Sequence, residues 1–167
     1  MTARLKDDSS ADPWATALRL LNRRDYGITE LTRKLQEKAF PPDRIEAVVE
    51  RCIEFGYLDD QRYAATRARN LMRQGRAVGS RVLADLRQRG IDEQTAGEAL
   101  QAAREELSEH AVLADLLERR FPEFDFREAS DRERRRVIHF LQRRGFPLNS
   151  ILQTLNGRDP EDDYPPR

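Results

Sequence analysis

The stretch RVLADLRQRGI at residues 81–91 has two counterparts in the chain, ELTRKLQEKAF at 30–40 and RVIHFLQRRGF at 136–146. Aligned without gaps, at offsets of 51 and 55 residues, they decide the fold. Leu35, Leu86 and Leu141 coincide, as do Leu31, Val82 and Val137. Next come the basic residues Lys38, Arg89 and Arg144, then Ala39, Gly90 and Gly145, then Phe40, Ile91 and Phe146. Apolar residues four apart, followed by a basic and then a small residue, describe the end of an amphipathic helix closed by a tight turn. Each copy leads into a further helix in register, with Ile45 and Val49, Ala96 and Leu100, or Ile151 and Leu155 on its apolar side. Self-similarity at such a period signals a repeat architecture.

Working outward, each copy gains a helix in front. Trp14, Ala17, Leu18 and Leu21 sit at i, i+3, i+4 and i+7, and Ile28, Leu31 and Leu35 resume the stripe after a break at Tyr26-Gly27. Pro41 and Pro42 open a third helix with an expected buried stripe of Ile45, Val48, Val49, Cys52 and Ile53, and Gly56 ends it. In the second copy, Asp59 or Asp60 is expected to cap a helix to about 74, Ser80 one to 89 and Asp92 one to about 106. In the third, helices are expected near 109–120, 131–144 and 148–156, the second opened by a capping box of Ser130 and Glu133. The link FPEFDFREA (121–129) carries three phenylalanines expected to pack under the neighbouring module.

No run alternates with period two for long enough to read as a strand. The expected fold is all-α: three tandem three-helix repeats, helix-turn-helix-like, stacked into an elongated, curved array. The expected boundaries are 13–58, 59–107 and 108–157, between disordered tails at 1–12 and 158–167, the latter acidic and Pro-rich. About 50 residues bury too little surface to stand comfortably alone, so the modules should stack on one another.

The 167 residues are 36% charged and 38% hydrophobic, which suits charge-laced helices around a thin core. The longest apolar run, Ala111 to Ala114, is far short of a membrane span, and the opening MTARLKDDSS lacks the apolar segment of a signal peptide. A single cysteine, Cys52, can form no internal disulfide, so a cytoplasmic location is expected. His110 and His139 have no second histidine, cysteine or Gly-rich loop at useful spacing. No catalytic residue, metal site or cofactor is therefore expected.

GYLDDQRYA (56–64), RLLNRRDYGITELTRKLQEKAF (19–40) before it and QGRAVGSRVLADLRQRGI (74–91) after it together resemble the RecX family of regulatory proteins. The resemblance covers about residues 13–157 and implies a cytoplasmic bacterial modulator of the recombinase RecA. Such a protein acts on the RecA nucleoprotein filament, mainly by inhibition, and has no enzymatic activity of its own. It would lower recombinase, ATPase and co-protease activity in DNA repair and the SOS response. Within the GYLDD string, Gly56, Tyr57, Leu58, Asp59 and Asp60 also read as a rigid module joint. Gly56 ends one helix, Tyr57 and Leu58 enter the inter-module core, and an aspartate caps the next helix.

The net charge is zero, yet Arg62 to Ile91 carries +7 and Asp92 to Glu118 carries −7. Nearly all the basic residues are arginines, whose planar fork matches phosphate or carboxylate. Arg62, Arg69, Arg73 and Arg76 form an exposed stripe on the helix from about 60 to 74. Arg81 and Arg87 adjoin it, and Arg132, Arg135, Arg136 and Arg143 extend the set in the third module. These arginines are the candidate partner- and DNA-binding residues, for the RecA filament and for weak, salt-dependent contact with single- and double-stranded DNA. The competing reading pairs them with the acidic helices, or lets Arg89, Arg143 and Arg144 complement helix C-terminal dipoles. Two other functions fit the architecture: a helix-turn-helix transcriptional regulator, or an interaction scaffold without DNA contact. The would-be reading helices 43–55 and 93–106 carry acids that repel phosphate. A monomer is expected, since no further apolar face remains.

Overall fold

The computed structural model describes residues 12–157, with helices as the only regular elements among them. Apart from Asp12, both expected tails lie outside the described residues. Asp12 caps α1 (Pro13–Leu21), its carboxylate accepting from the Trp14 and Ala15 amides. The first unit continues with α2 (Ile28–Gln36) and α3 (Pro42–Glu54). The second comprises α4 (Asp60–Arg73), α5 (Ser80–Gln88) and α6 (Glu93–Glu106), and the third α7 (Glu109–Arg120), α8 (Asp131–Gln142) and α9 (Leu148–Leu155). Contacts between units join the first to the second and the second to the third, as in a linear array.

Local chemistry explains where the helices begin. Asp59 accepts from the Arg62 amide at 2.9 Å, Asp92 from the Thr95 amide at 2.9 Å, and Ser130 and Glu133 form the capping box. One cap differs from the sequence expectation, and of the two aspartates before α4 it is Asp59 that caps. Ser80 is the first residue of α5; the capping position is Gly79, which has no side chain to offer and sits at φ +52°. Asp60 is the first residue of α4, and its carboxylate accepts instead from the Ile28 amide of the preceding unit at 2.9 Å. Gly27 at the start of α2 supplies no cap, and a β-carbon there would lie 3.1 Å from that carboxylate oxygen.

The helix ends explain the repeat. Gly56 closes α3 at φ +68°, its amide reaching the Ile53 carbonyl and the Tyr57 amide the Cys52 carbonyl, the paired bonds of a Schellman turn. At the shared position after α2, α5 and α8, Ala39, Gly90 and Gly145 all have positive φ, at 59°, 83° and 98°. A β-carbon on Gly90 would come within 3.0 Å of Thr29 in α2, and one on Gly145 within 3.0 Å of the Val78 carbonyl. Each of these turns docks on the preceding unit. Among the described residues the first unit has no preceding unit to dock on, and there an alanine, Ala39, holds the position.

Two apolar clusters result. Ala17, Tyr26, Leu31, Leu35, Ile45, Val48, Val49, Cys52 and Leu58 form the core of the first unit, with Trp14 partly buried against it. The second and third units share one continuous core, from Tyr63 through Leu86 and Leu113 to Leu141 and Ile151. Three sequence expectations are corrected. Ile53 is 44% exposed, at the edge of an α3 stripe whose buried members are Ile45, Val48, Val49 and Cys52. Tyr57 is 49% exposed and lies against Phe55 and Trp14, leaving Leu58 alone to enter the core of the first unit. The phenylalanines of the 121–129 link pack within their own unit: Phe121 meets Phe140 edge-on at 5.1 Å, and Phe124 touches both Phe121 and Phe126.

Candidate functional site: the arginine surface and its joints

The candidate arginines divide into engaged and open groups. Arg69 is held by Glu106 of α6 through two bonds of 2.7 Å, and Arg87 by Glu93 at 2.7 Å. Arg62 donates to the Gly56 carbonyl at 2.9 Å, tying α4 to the turn before it. The −7 segment thus neutralises part of the +7 segment, and Arg69 and Arg87 are not free charges. Arg73, Arg76, Arg81, Arg132, Arg135, Arg136 and Arg143 are exposed and make no ion pair among the described residues. Arg73, Arg76 and Arg81 lie on α4, α5 and the link between them, while Arg132, Arg135, Arg136 and Arg143 follow α8.

The GYLDD segment is a structural joint, and the polar network beside it went unread in the sequence. Glu30 of α2 is only 5% exposed and takes both terminal nitrogens of Arg24, at 2.8 and 3.1 Å. It also meets Arg89 of the second unit at 3.1 Å and the Tyr63 hydroxyl at 3.4 Å. Asp85 completes the set, binding Arg67 at 2.8 and 2.9 Å and Arg89 at 2.9 Å. Burial alone would raise the pKa of Glu30, but the hydrogen bonds and charge of Arg24, with Arg89 behind it, hold it below the ordinary value. Asp85 is lowered too: its burial is outweighed by the bonds from Arg67 and Arg89. Asp60 differs, because burial raises its pKa despite the Ile28 amide bond, and Asp92 and Asp59 add repulsion. The network therefore locks the first unit to the second, and Arg67 and Arg89 serve structure.

In the first unit and the turn after it, Trp14, Phe55 and Tyr57 form a trio of rings with centroids 5.9 to 6.3 Å apart, and Arg51 lies 4.2 Å over the Trp14 ring. Phe55 is 55% exposed. Burial pushes the Cys52 thiol pKa up, so it is an inert core residue. His110 and His139 are exposed, and no cluster of metal-ligating side chains exists among the described residues.

The first two three-helix units match known family models. Residues 14–52 match the family model described as RecX, first three-helix domain, and residues 59–100 the model for RecX, second three-helix domain. Regulatory protein RecX of Syntrophotalea carbinolica is 49% identical over 142 residues, covering 85% of this chain and 93% of that protein. The chain belongs to the RecX family. Regulatory protein RecX of Trichlorobacter lovleyi is 39% identical over 143 residues, 86% of this chain and 93% of its own length. The crystal structure of RecX from Lactobacillus salivarius superposes with a TM-score of 0.64 at 22% identity, covering 86% of this chain and 94% of that one. A second, described as the crystal structure of regulatory protein RecX, gives 0.66 at 23% identity over 89% and 74% of the two chains. These structures share the fold. The relatives are regulatory proteins, and no described helix here is long and apolar enough to cross a membrane.

Proposed function

We propose that this chain is a non-enzymatic, cytoplasmic regulator that binds the RecA nucleoprotein filament and lowers its recombinase, ATPase and co-protease activity. The observation that carries the reading is alignment over nearly the whole chain with relatives that are themselves regulatory proteins. The open arginines on α4, α5 and α8 support it, since a row of unpaired guanidinium groups fits the phosphates of a filament's DNA or an acidic protein surface. The aromatic trio supplies a second contact of a kind common at the centre of protein interfaces. The protein acts as a monomer laid along the filament. The exposed faces of α3 and α6 carry Glu46, Glu50, Glu98 and Glu105, which argues against a helix-turn-helix reader of the major groove.

The test is RecA-driven strand exchange with the wild-type chain and with Arg73→Glu/Arg136→Glu, two exposed and unpaired sites. Arg69→Glu is a poorer probe because it would set a carboxylate against Glu106. The double variant should keep its helical content and lose most of its inhibition. Full inhibition by it would remove these arginines from the mechanism.

A further inference from the structure

The second and third units meet at the repeat position where the first and second do, with both carboxylates of the first joint replaced. At the first joint, Arg89 is neutralised from both sides, by Asp85 one turn earlier in α5 and by Glu30 of the preceding unit. Arg144 occupies the same repeat position at the second joint. There the counterpart of Asp85 is Phe140, and the counterpart of Glu30 is Arg81. The turn still docks on the preceding unit: the Val78 amide donates to the Arg144 carbonyl at 2.8 Å, and a β-carbon on Gly145 would lie 3.0 Å from Cγ of Arg81. Only the carboxylates are gone.

The guanidinium of Arg144 lies 3.6 Å above the Phe140 ring, and its Nη1 donates to the Phe140 carbonyl at 3.2 Å. Its Nε is buried with no acceptor, the only such side-chain atom among the described residues. Burial, then the charges of Arg143, Arg120 and Arg76, hold its pKa below the ordinary arginine value. These side chains come from the ends of α7 and α8 and from the link after α4. Helix C-termini contribute only about half a negative charge each, which does not balance so many full positive ones. A buried donor left unpaired among like charges is unfavourable unless something else supplies the acceptor.

We propose that this joint binds a phosphodiester of a nucleic-acid strand, with Arg144 at its centre and Arg76, Arg81, Arg120 and Arg143 around it. A phosphate carries the negative charge that the cluster lacks, and the exposed arginines around Arg144 can donate to its oxygens. A strand fits better than a free phosphate because the arginines continue beyond the joint: Arg120 and Arg136 line one open cleft of about 350 Å³ between the 121–129 link and α8. Glu123 and Glu133 share that cleft, and Glu133 is occupied by Ser130. The choice of a nucleic acid rests on the filament reading above; the anion site itself does not.

The test uses the full chain, a fluorescein-labelled 25-nucleotide oligo-dT and a series of NaCl concentrations, with thermal melts of each protein. Arg144→Met should melt at or above the wild-type temperature, bind at least tenfold more weakly, and show a log K against log[NaCl] slope shallower by about 0.7. Arg120→Gln, at an exposed position, should show the same change of slope and guards against misfolding of the first variant. Wild-type protein that fails to bind the oligonucleotide would overturn the site, as would unchanged affinity and slope in both variants. So would a lower melting temperature in Arg144→Met with unchanged slopes in both, which would make Arg144 structural. RecA's DNA-dependent ATPase on the same proteins separates the two claims. Arg144-dependent oligonucleotide binding without any effect of wild-type protein on RecA keeps the site and removes the filament reading. Inhibition of RecA with Arg144-independent binding does the reverse.

Discussion

Replacing Gly145 by alanine tests the account of how the units dock. The residue sits at φ +98°, and an added β-carbon would press into the Val78 carbonyl, a backbone atom that cannot rotate away. Holding an L-residue with a side chain at positive φ costs about 1–2 kcal/mol, and forcing a methyl group into a packed contact roughly another 1–3 kcal/mol. The bond from the Val78 amide to the Arg144 carbonyl lies at the same joint and weakens with it, adding about 0.5–1.5 kcal/mol. A total loss of about 2.5–6.5 kcal/mol is expected, borne by the second and third units. Ala39→Gly, at the equivalent turn with no unit before it, should be neutral or stabilising by up to about 1 kcal/mol. Urea unfolding followed by circular dichroism gives the totals. Fluorescence of the single tryptophan, Trp14, reports the first unit separately. Gly145→Ala should lower the midpoint seen by circular dichroism and leave the Trp14 transition nearly unmoved. A loss under about 0.5 kcal/mol, or an equal shift of the Trp14 signal, would refute the docking argument.

Glu30→Ala leaves Arg24, Arg89 and the Tyr63 hydroxyl without their shared buried acceptor and should cost about 2–4 kcal/mol, shifting the Trp14 transition as well, measured by the same urea series. The folded pKa values of Glu30 and Asp85 lie below their ordinary values of 4.5 and 3.8, so the stability they contribute is complete above that range and is lost as the pH falls through it. The raised pKa of Asp60 acts in the opposite direction, so Asp60→Asn should steepen the acid-side loss in melts between about pH 6 and pH 3. Phe55→Ala and Tyr57→Ala change exposed rings and should alter stability by less than about 1 kcal/mol, while weakening RecA inhibition in the strand-exchange assay.

The helix triplets were legible because the register of Leu35, Leu86 and Leu141 carries its own check: the small residue four positions on must turn the chain, and at all three sites it has positive φ. The capping aspartates and the Ser130–Glu133 box were legible for the same reason, being local. What periodicity could not show was who covers a face once it is turned inward. Ile53 and Tyr57 sit in apolar register at a helix end and a turn, yet both are about half exposed. The fate of each arginine was equally non-local. Arg69 and Glu106 are 37 residues apart, and Arg89 and Glu30 59 apart, so their pairing follows from the packing of α4 on α6 and of the second unit on the first. One signal was in reach: the repeat alignment already sets Arg81 and Phe140 where Glu30 and Asp85 stand, which marks Arg144 as the copy without a carboxylate.

The most direct test of the central claim is the single-stranded-DNA-dependent ATPase of RecA from the same source, titrated with this chain at two salt concentrations. Action on the filament predicts inhibition at well below one molecule per RecA, weakening at the higher salt. An unaffected ATPase up to stoichiometric amounts, with salt-sensitive binding to duplex DNA alone, would contradict it.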